Sequence, residues 1–503
     1  MTRTKKFIYN SLSTAFYEIV VMIAGFITPR IMLKYYGSEI NGLVSSINQF
    51  IKYFNLVEAG LSSAAIYALY KPLAEKNHKA INSIISAAKK FYTQSGYIFV
   101  SLTIGLAALY PYFVKTDMLT PLYVGILVLI LGTNGALEFF TLSKYRVLLT
   151  ADQKTYVISL ASIVYLVLNT IIVVILGTMQ VNIVLLRLGV LLSIFLRSFI
   201  LMIYVRIKYK FINYREKPNT QALAKRWDAL YLQILGAIHT GAPVVILTIV
   251  TRNLMLVSVY TVFNMVISGI MGILGIFRSG LSASFGDVIA REEDKTLQRS
   301  YTEFEFSYYA LITIVYSIAL VTIMPFIRIY TSGVIDINYD IPLIGFLFVL
   351  NGLLYNLKTP QGMLVISAGL FRETRLQTTI QGAIAVILGL TLAPFLGIYG
   401  VLIASILSNI YRIIDLLFFI PKNVTKLPIV NTAKRMLRVV VSVAIIWIPF
   451  IFIDLNSNGY LQWAVNATLV GVYSCLIVLA MGYLFDREAF RATLNRVIRV
   501  VKR

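Results

Sequence analysis

The sequence has little cysteine and few acidic residues. It is 503 residues long with one cysteine, Cys475, and 45 Lys and Arg stand against 22 Asp and Glu. A single cysteine excludes a disulfide framework or a cluster of thiol ligands. No phosphate-binding loop of the form GxxxxGK[ST] is present, and no polar stretch is large enough for a nucleotide-binding domain, which argues against ATP-driven chemistry.

Long apolar runs dominate instead. Hydrophobic residues make up 58% of the chain, charged residues make up 13%, and the mean hydropathy is +0.80. The basic start MTRTKK leads into an apolar run without a small-residue cleavage site, so it predicts a retained first span. Because about 20 apolar residues cross a bilayer, the sequence predicts an all-α polytopic membrane protein of about 14 helices. We place them at 7–33, 41–70, 84–110, 120–142, 156–176, 182–205, 228–251, 256–284, 304–329, 341–365, 377–396, 399–421, 437–454 and 461–485.

The basic residues are unevenly distributed. Most lie at the N-terminus, in the even-numbered connections and in the C-terminal tail, whereas the opposite connections hold Lys34, Lys115, Arg252 and Arg328. This bias predicts that both termini are cytoplasmic. We interpret the basic loops as contacts to anionic lipid headgroups, and nucleic acid is not an expected partner.

An internal repeat runs at an offset near 220 residues. The stretch 36–64 matches 256–284, and Gly60-Leu61-Ser62 matches Gly280-Leu281-Ser282, so Glu58 aligns with Arg278. At an offset of 215, Arg197 aligns with Arg412. The pattern predicts two six-helix lobes in a parallel pseudo-twofold repeat, 1–215 and 216–425, with two further helices and a basic tail in 426–503.

Basic residues inside the predicted spans are the main functional signal. A lipid-facing charge there costs at least about 2.5 to 3.5 kcal/mol, so such groups usually face a cavity or a partner. They are Arg30, Lys52, Arg187, Arg197, Arg278, Lys358 and Arg412. Arg30 and Arg187 lie near helix ends, where the alternative is that they extend to the headgroups.

Polar residues accompany these cations at helical spacing. Asn48 and Asn55 flank Lys52, and Asn264 shares a stripe with Arg278. Such stripes are also typical of hydrogen-bonded seams between membrane helices. The acids inside the spans are few, namely Glu18, Glu58, Glu138 and Asp415, so we expect a net positive interior that suits an anionic substrate.

The stretch ITPRIMLKYYGSEINGLVSSINQFIKYFNLVEAGLSSA, together with the six-plus-six-plus-two arrangement, resembles the Wzx-type oligosaccharide flippases. These belong to the multidrug/oligosaccharidyl-lipid/polysaccharide (MOP) exporter superfamily. The resemblance implies that the protein moves undecaprenyl-diphosphate-linked oligosaccharide repeat units from the inner to the outer leaflet. It further implies alternating access through a cationic cavity, in a bacterial plasma membrane, for capsule, O-antigen or exopolysaccharide synthesis.

The resemblance implies that Arg30, Lys52 and Arg278 occupy the spans in which such flippases place cavity cations. The candidate diphosphate and sugar site comprises Arg30, Asn48, Lys52, Asn55, Glu58, Arg197, Asn264, Arg278, Lys358 and Arg412. Coupling to a proton or sodium gradient is expected, and the candidates for it are Glu18, His239 and Asp415. We expect no cofactor and no metal, a monomer, and polysaccharide polymerase machinery as a partner in the pathway.

Three alternatives stay open. A lipid II flippase would share the diphosphate anchor, and a MATE-type drug exporter would share the fold, although a cationic drug favours acidic cavity residues. A membrane polysaccharide polymerase would need a sizeable outer loop with acid and base residues, and the longest such connection, near 330–341, is only about a dozen residues. We therefore expect a transporter and no enzyme.

Overall fold

The computed structural model describes residues 3–58, 60–221, 226–278, 281–453, 455 and 457–501, and this part of the chain is helical and contains no strand. The helices are α1 Arg3–Phe54, α2 Leu61–Ala74, α3 His78–Phe113, α4 Pro121–Leu137, α5 Ser143–Ala151, α6 Thr155–Thr178, α7 Ile183–Lys208, α8 Arg226–Ile246, α9 Leu254–Arg278, α10 Leu281–Ala290, α11 Asp294–Tyr330, α12 Pro342–Leu357, α13 Thr359–Ser367, α14 Arg375–Leu396, α15 Ile398–Ile420, α16 Ile429–Trp447, α17 Pro449–Phe452, α18 Tyr460–Phe485 and α19 Arg487–Val501.

Helices long enough to span a membrane occur throughout the described chain. Twelve helical stretches in the described residues are long and apolar enough to cross a bilayer, and a shorter apolar helix covers Thr240–Thr251. The first stretch, Ile8–Ala74, has 67 residues and is long enough for two spans. It bends at Gly37, whose φ of 81° lies in the left-handed region that glycine adopts without strain. The predicted fold class, a polytopic helical membrane protein, is confirmed.

The order of helices repeats along the chain. After the bend at Gly37, α1 is followed by the shorter α2, as α9 is followed by the shorter α10. A long helix follows in each series, α3 with 36 residues and α11 with 37. A broken span comes next in each, α4 with α5 and α12 with α13, and two further helices complete the series.

Packing divides the chain into two compact units, Met1–Thr261 and Val262–Arg503, called unit 1 and unit 2 below. Units 1 and 2 are defined by which residues pack against one another, whereas the boundaries at 215 and 425 are defined by the internal sequence repeat. The latter division therefore stays a prediction.

In unit 1, hydroxyl and amide groups join the second part of α1 to distant helices. Ser46 Oγ accepts hydrogen bonds from Thr248 at 2.8 Å and from Tyr110 at 2.9 Å. Earlier on α1, Asn41 donates a hydrogen bond to Ser258 Oγ at 2.8 Å. Gly42 allows this close approach, because a Cβ there would lie 1.8 Å from the Leu254 carbonyl oxygen.

In unit 2, a buried carboxylate joins the C-terminal helices to α11. Glu305 has a fully buried side chain and forms an ion pair with Arg435 of α16 at 2.8 Å. It also accepts hydrogen bonds from Tyr301, Gln361 and Thr432. Arg435 in turn pairs with Asp486 at 2.7 Å, just before α19. The carboxylate is thus surrounded by donors, as a buried charge must be.

Gly42→Ala should destabilise the protein, because the Leu254 backbone must move to admit the methyl group. Overpacking of this kind typically costs about 1 to 3 kcal/mol. The midpoint of thermal unfolding in detergent measures the loss. Gly25→Ala on the same helix is the control, since its Cβ would meet nothing within 4 Å. Equal midpoints for the two variants would contradict the close-approach explanation.

Arg435→Leu should lower the stability by about 3 to 5 kcal/mol, because it leaves the Glu305 charge buried without its counter-ion. Arg291→Leu removes the exposed pair with Asp287 and should cost less than about 1 kcal/mol. Denaturant unfolding of both purified variants measures the difference. A similar small loss in both variants would contradict this account, because the other donors to Glu305 would then be sufficient to hold its carboxylate.

Candidate functional site

Lys52, the basic residue of the first repeated stretch, lies in the last turn of α1. Its side chain is exposed, and it forms no ion pair or hydrogen bond with the described residues. Helix α1 ends two residues later at Phe54, so Asn55 begins a 3₁₀ turn, whereas Asn48 stays on the helix. Both asparagines are half-buried. The predicted polar stripe therefore surrounds a helix end, where backbone carbonyls also lack helical partners.

Glu58 closes the same 3₁₀ turn and is half-buried. Ser143 Oγ lies 3.5 Å from its carboxylate, at the limit of a hydrogen bond. No ion pair reaches Glu58 within the described residues. The expected contact between Glu58 and Arg278 involves both units and stays a prediction.

A charged cluster of unit 1 centres on Glu138, where the helix between α4 and α5 takes a π-helical turn over Glu138–Leu142. Glu138 forms an ion pair with Arg146, and Arg197 of α7 lies 3.9 Å from the same carboxylate. The Arg197 guanidinium also covers the Tyr165 ring at 5.6 Å. Arg197, predicted as a cavity cation, is thus at least partly neutralised inside unit 1.

The remaining predicted residues of unit 1 are more dispersed. Arg30 and Glu18 are half-buried on α1, and Arg30 is in contact with a neighbouring group. Arg187 is only 8% exposed, which excludes the alternative that it extends to the headgroups. Its nearest polar contact is the Met32 sulfur at 3.4 Å. His239 lies on α8, and its side chain is outside the described part of the chain.

In unit 2, Lys358 lies at the break between α12 and α13 and is 8% exposed. It donates to Asn409 Oδ1 at 2.7 Å, and Asn409 donates to Asn351 at 2.8 Å. Arg412 lies close enough to repel Lys358 and forms an ion pair with Asp415. Two predicted cations thus come together, with a carboxylate for one of them only.

Arg278 is in the last turn of α9 and lies close to the Tyr308 phenol. Its buried Nε has no hydrogen-bond partner among the described residues. Tyr308 donates to Asn356 at 2.6 Å, and Asn356 donates to Tyr316 at 2.7 Å. Asn264 lies earlier on α9, and its amide is 3.5 Å from Ser268 Oγ. A buried guanidinium N–H without an acceptor is suited to an anionic ligand.

Sequence reasoning missed two parts of this arrangement. Arg146 lies between the predicted spans 120–142 and 156–176, whereas the structure places it on α5, where it pairs with Glu138. Glu305 falls within the predicted span 304–329 and adds a fully buried carboxylate to the four acids expected inside the spans. No group of three His, Cys, Asp or Glu side chains that could hold a metal ion occurs in the described residues.

Neither a protein-family model nor a curated protein matches the sequence. Solved structures match over nearly the whole chain. The structure described as "Lipid II flippase MurJ, inward closed conformation" has a TM-score of 0.66 and 17% identity, covering 95% of this chain and 99% of that one.

Two transporters give similar values. An inward-facing multidrug resistance MATE family transporter of the MOP superfamily has a TM-score of 0.64 and 13% identity, covering 86% of this chain and 98% of that one. A MATE structure in the bent conformation has a TM-score of 0.58 and 13% identity, covering 88% and 97%. The identities are low, so the likeness is one of fold. The chain is a multi-pass membrane protein with the fold of MOP superfamily transporters and flippases.

Proposed function

We propose that the protein is a flippase for undecaprenyl-diphosphate-linked oligosaccharide repeat units. It would move the diphosphate and sugars from the inner to the outer leaflet by alternating access through a cationic cavity, while the polyprenyl tail stays in lipid. Capsule, O-antigen or exopolysaccharide synthesis would consume the product at the outer face. The bacterial plasma membrane, with both chain termini in the cytoplasm, is the proposed location.

The observation that carries this proposal is a set of intramembrane cations that the chain itself does not neutralise. Lys52, Arg187, Arg278 and Lys358 have no carboxylate partner within the described residues, unlike Arg197 and Arg412. Leaving a cation in hydrocarbon costs at least about 2.5 to 3.5 kcal/mol, so a bound anion would offset a substantial cost. Arginine can hold a phosphate through two parallel hydrogen bonds, and lysine acts as a point charge.

Within this set, Lys52 and Arg278 are the strongest candidates for the diphosphate. Lys52 is exposed at a helix end. Arg278 and Arg187 each have a buried Nε without an acceptor in the described residues, but the Arg278 side chain is the less buried of the two. Lys358 is instead held by Asn409, so we assign it to the wall of the site, where the break between α12 and α13 positions it. Arg30, Asn48, Asn55, Glu58 and Asn264 are half-buried polar residues proposed to contact the headgroup or sugars.

The proposed energy source is a proton or sodium gradient. Asp415 is already paired with Arg412, and this pair must open before the carboxylate can take an ion. Glu18 is half-buried and has no ion pair within the described part of unit 1, which makes it the better candidate of the two. His239 stays a third candidate.

Lipid II is the second candidate substrate, because the chain shares its fold with a lipid II flippase. The diphosphate of lipid II would bind the same cations as that of an oligosaccharide lipid. Selection between the two lipids must therefore come from contacts to their sugars. A drug exporter of the MATE type is less well supported. Cationic drugs call for carboxylates, and Glu138 and Asp415 already pair with arginines.

The double variant Lys52→Gln/Arg278→Gln should bind undecaprenyl-diphosphate oligosaccharide about a hundredfold more weakly, because each charged hydrogen bond to phosphate contributes about 1.5 to 3 kcal/mol. Binding to the purified protein is measured by native mass spectrometry. Lys115→Gln/Lys422→Gln removes the same charge from exposed positions and should leave binding within about threefold. Unchanged binding and transport in the first variant would refute the cationic site.

Substrate choice is tested by titrating the wild-type protein with lipid II and with undecaprenyl-diphosphate oligosaccharides of different sugar composition. We expect at least about tenfold tighter binding of one oligosaccharide lipid than of lipid II, equivalent to about 1.4 kcal/mol from sugar contacts. Tighter binding of lipid II, together with rescue of a strain depleted of its lipid II flippase, would favour the second candidate instead.

A further inference from the structure

A groove on unit 1 lies outside the proposed cargo site. It has a volume of about 580 Å³ and runs between the π-helical turn with α5 on one side and α7 on the other. Its walls include Phe140, Phe195, Phe199 and Met202. Phe195 and Phe199 are 52% and 53% exposed, so the groove is open along its length. Its size falls within the usual range of ligand pockets, about 300 to 1,000 Å³.

Apart from Lys144 and Tyr145 at one end, the polar groups among the described residues that line the groove are two hydroxyls. Thr141 and Ser198 are 2.8 Å apart and hydrogen-bond to each other across it. Thr141 also donates to the Leu137 carbonyl, so its hydroxyl hydrogen has a partner without any ligand. A sugar headgroup needs many hydrogen-bond partners, and this part of the groove offers few. A hydrocarbon chain needs none.

One end of the groove is strongly basic. Lys144 lines the groove and lies over the rings of Tyr145 at 5.1 Å and Tyr214 at 5.5 Å. Lys89 also lies over the Tyr214 ring, with its Nζ 5.7 Å from the ring centroid. Arg206, one turn beyond Met202 on α7, is near enough to repel Lys144, as is Lys89.

These three cations lack internal compensation. None forms an ion pair with a carboxylate of the described chain, although the neighbouring Lys154 and Lys6 both pair with Asp152. Lys89 and Lys144 both lie over the Tyr214 ring, and the buried hydroxyl of Tyr214 has no hydrogen-bond partner in the described residues. Mutual repulsion of three cations is relieved by an anion among them. An acceptor-rich anion would also satisfy the phenol.

We propose that the groove binds an anionic glycerophospholipid, with its phosphate among Lys89, Lys144 and Arg206 and one acyl chain along Phe140, Phe195 and Phe199. The basic end is the one that carries the 209–221 connection, where the charge bias predicts the cytoplasmic leaflet. Anionic lipids concentrate in that leaflet, and basic pockets between membrane helices bind their headgroups. The site does not depend on the identity of the transported lipid.

The test is a titration of the full-length purified protein with phosphatidylglycerol and with phosphatidylcholine, followed by native mass spectrometry. The variant Lys89→Gln/Lys144→Gln/Arg206→Gln should bind phosphatidylglycerol at least about tenfold more weakly, since each cation near the headgroup contributes about a fivefold factor before screening. The control variant Lys76→Gln/Lys79→Gln/Lys90→Gln loses the same charge at exposed positions of the same end and should bind as the wild type does.

A second variant tests the groove independently of charge. Leu196→Trp places a larger ring in the groove while keeping all three cations, and it should also weaken phosphatidylglycerol binding about tenfold. Its unfolding midpoint, measured alongside, should match that of the wild type, because Leu196 is 37% exposed.

Three results would overturn the proposal. The first is equal weakening by the two triple variants, and the second is equal affinity for phosphatidylcholine and phosphatidylglycerol. The third is displacement of phosphatidylglycerol by undecaprenyl diphosphate at a lower concentration, which would assign the groove to the lipid carrier. Loss of binding in both site variants, with the control unaffected, supports a phospholipid site.

Discussion

The cost of placing charge inside a bilayer is the constraint on which this structure depends. The hydrocarbon core contains no water to solvate a charged group. Each intramembrane cation therefore needs a carboxylate, neutral hydrogen-bond acceptors or a cavity that admits a ligand. The chain uses all three. Arg197 and Arg412 form ion pairs with carboxylates, and Lys358 donates a hydrogen bond to Asn409. Lys52 is exposed and has no partner among the described residues. The intramembrane positive charge that no carboxylate neutralises is therefore concentrated in a few side chains.

Interruptions of the helices coincide with these groups. Helix α1 ends just after Lys52, α12 ends before Lys358, and a π-helical turn begins at Glu138. A helix interruption exposes backbone groups that must find other partners, and this is tolerated in membranes where the backbone is buried in protein or lines a cavity. Charge and irregular backbone thus occur at the same places, and both need a polar environment there.

Much of the fold was predictable from the sequence, because apolar runs and basic loops report directly on the bilayer. The predicted membrane class and the repeated order of helices follow from these patterns. The pair of Arg412 with Asp415 is local, with a spacing of three residues on one helix. The pair of Arg435 with Glu305 is 130 residues apart, so no local spacing reveals it. Similarly, the π-helical turn changes the register of the helix after Glu138, and regular helical spacing could not predict that Arg146 and Arg197 share that carboxylate.

The Glu305 network has a consequence for how the chain is made. A ribosome completes α11 long before it reaches Arg435 on α16, so Glu305 enters the assembling protein without its counter-ion. Until the last helices are synthesised, the carboxylate must stay near water or rely on hydrogen bonds from Tyr301 and Gln361. The final membrane helices therefore complete the packing of a helix made much earlier, and α11 gains its ion pair only after α16 has been synthesised.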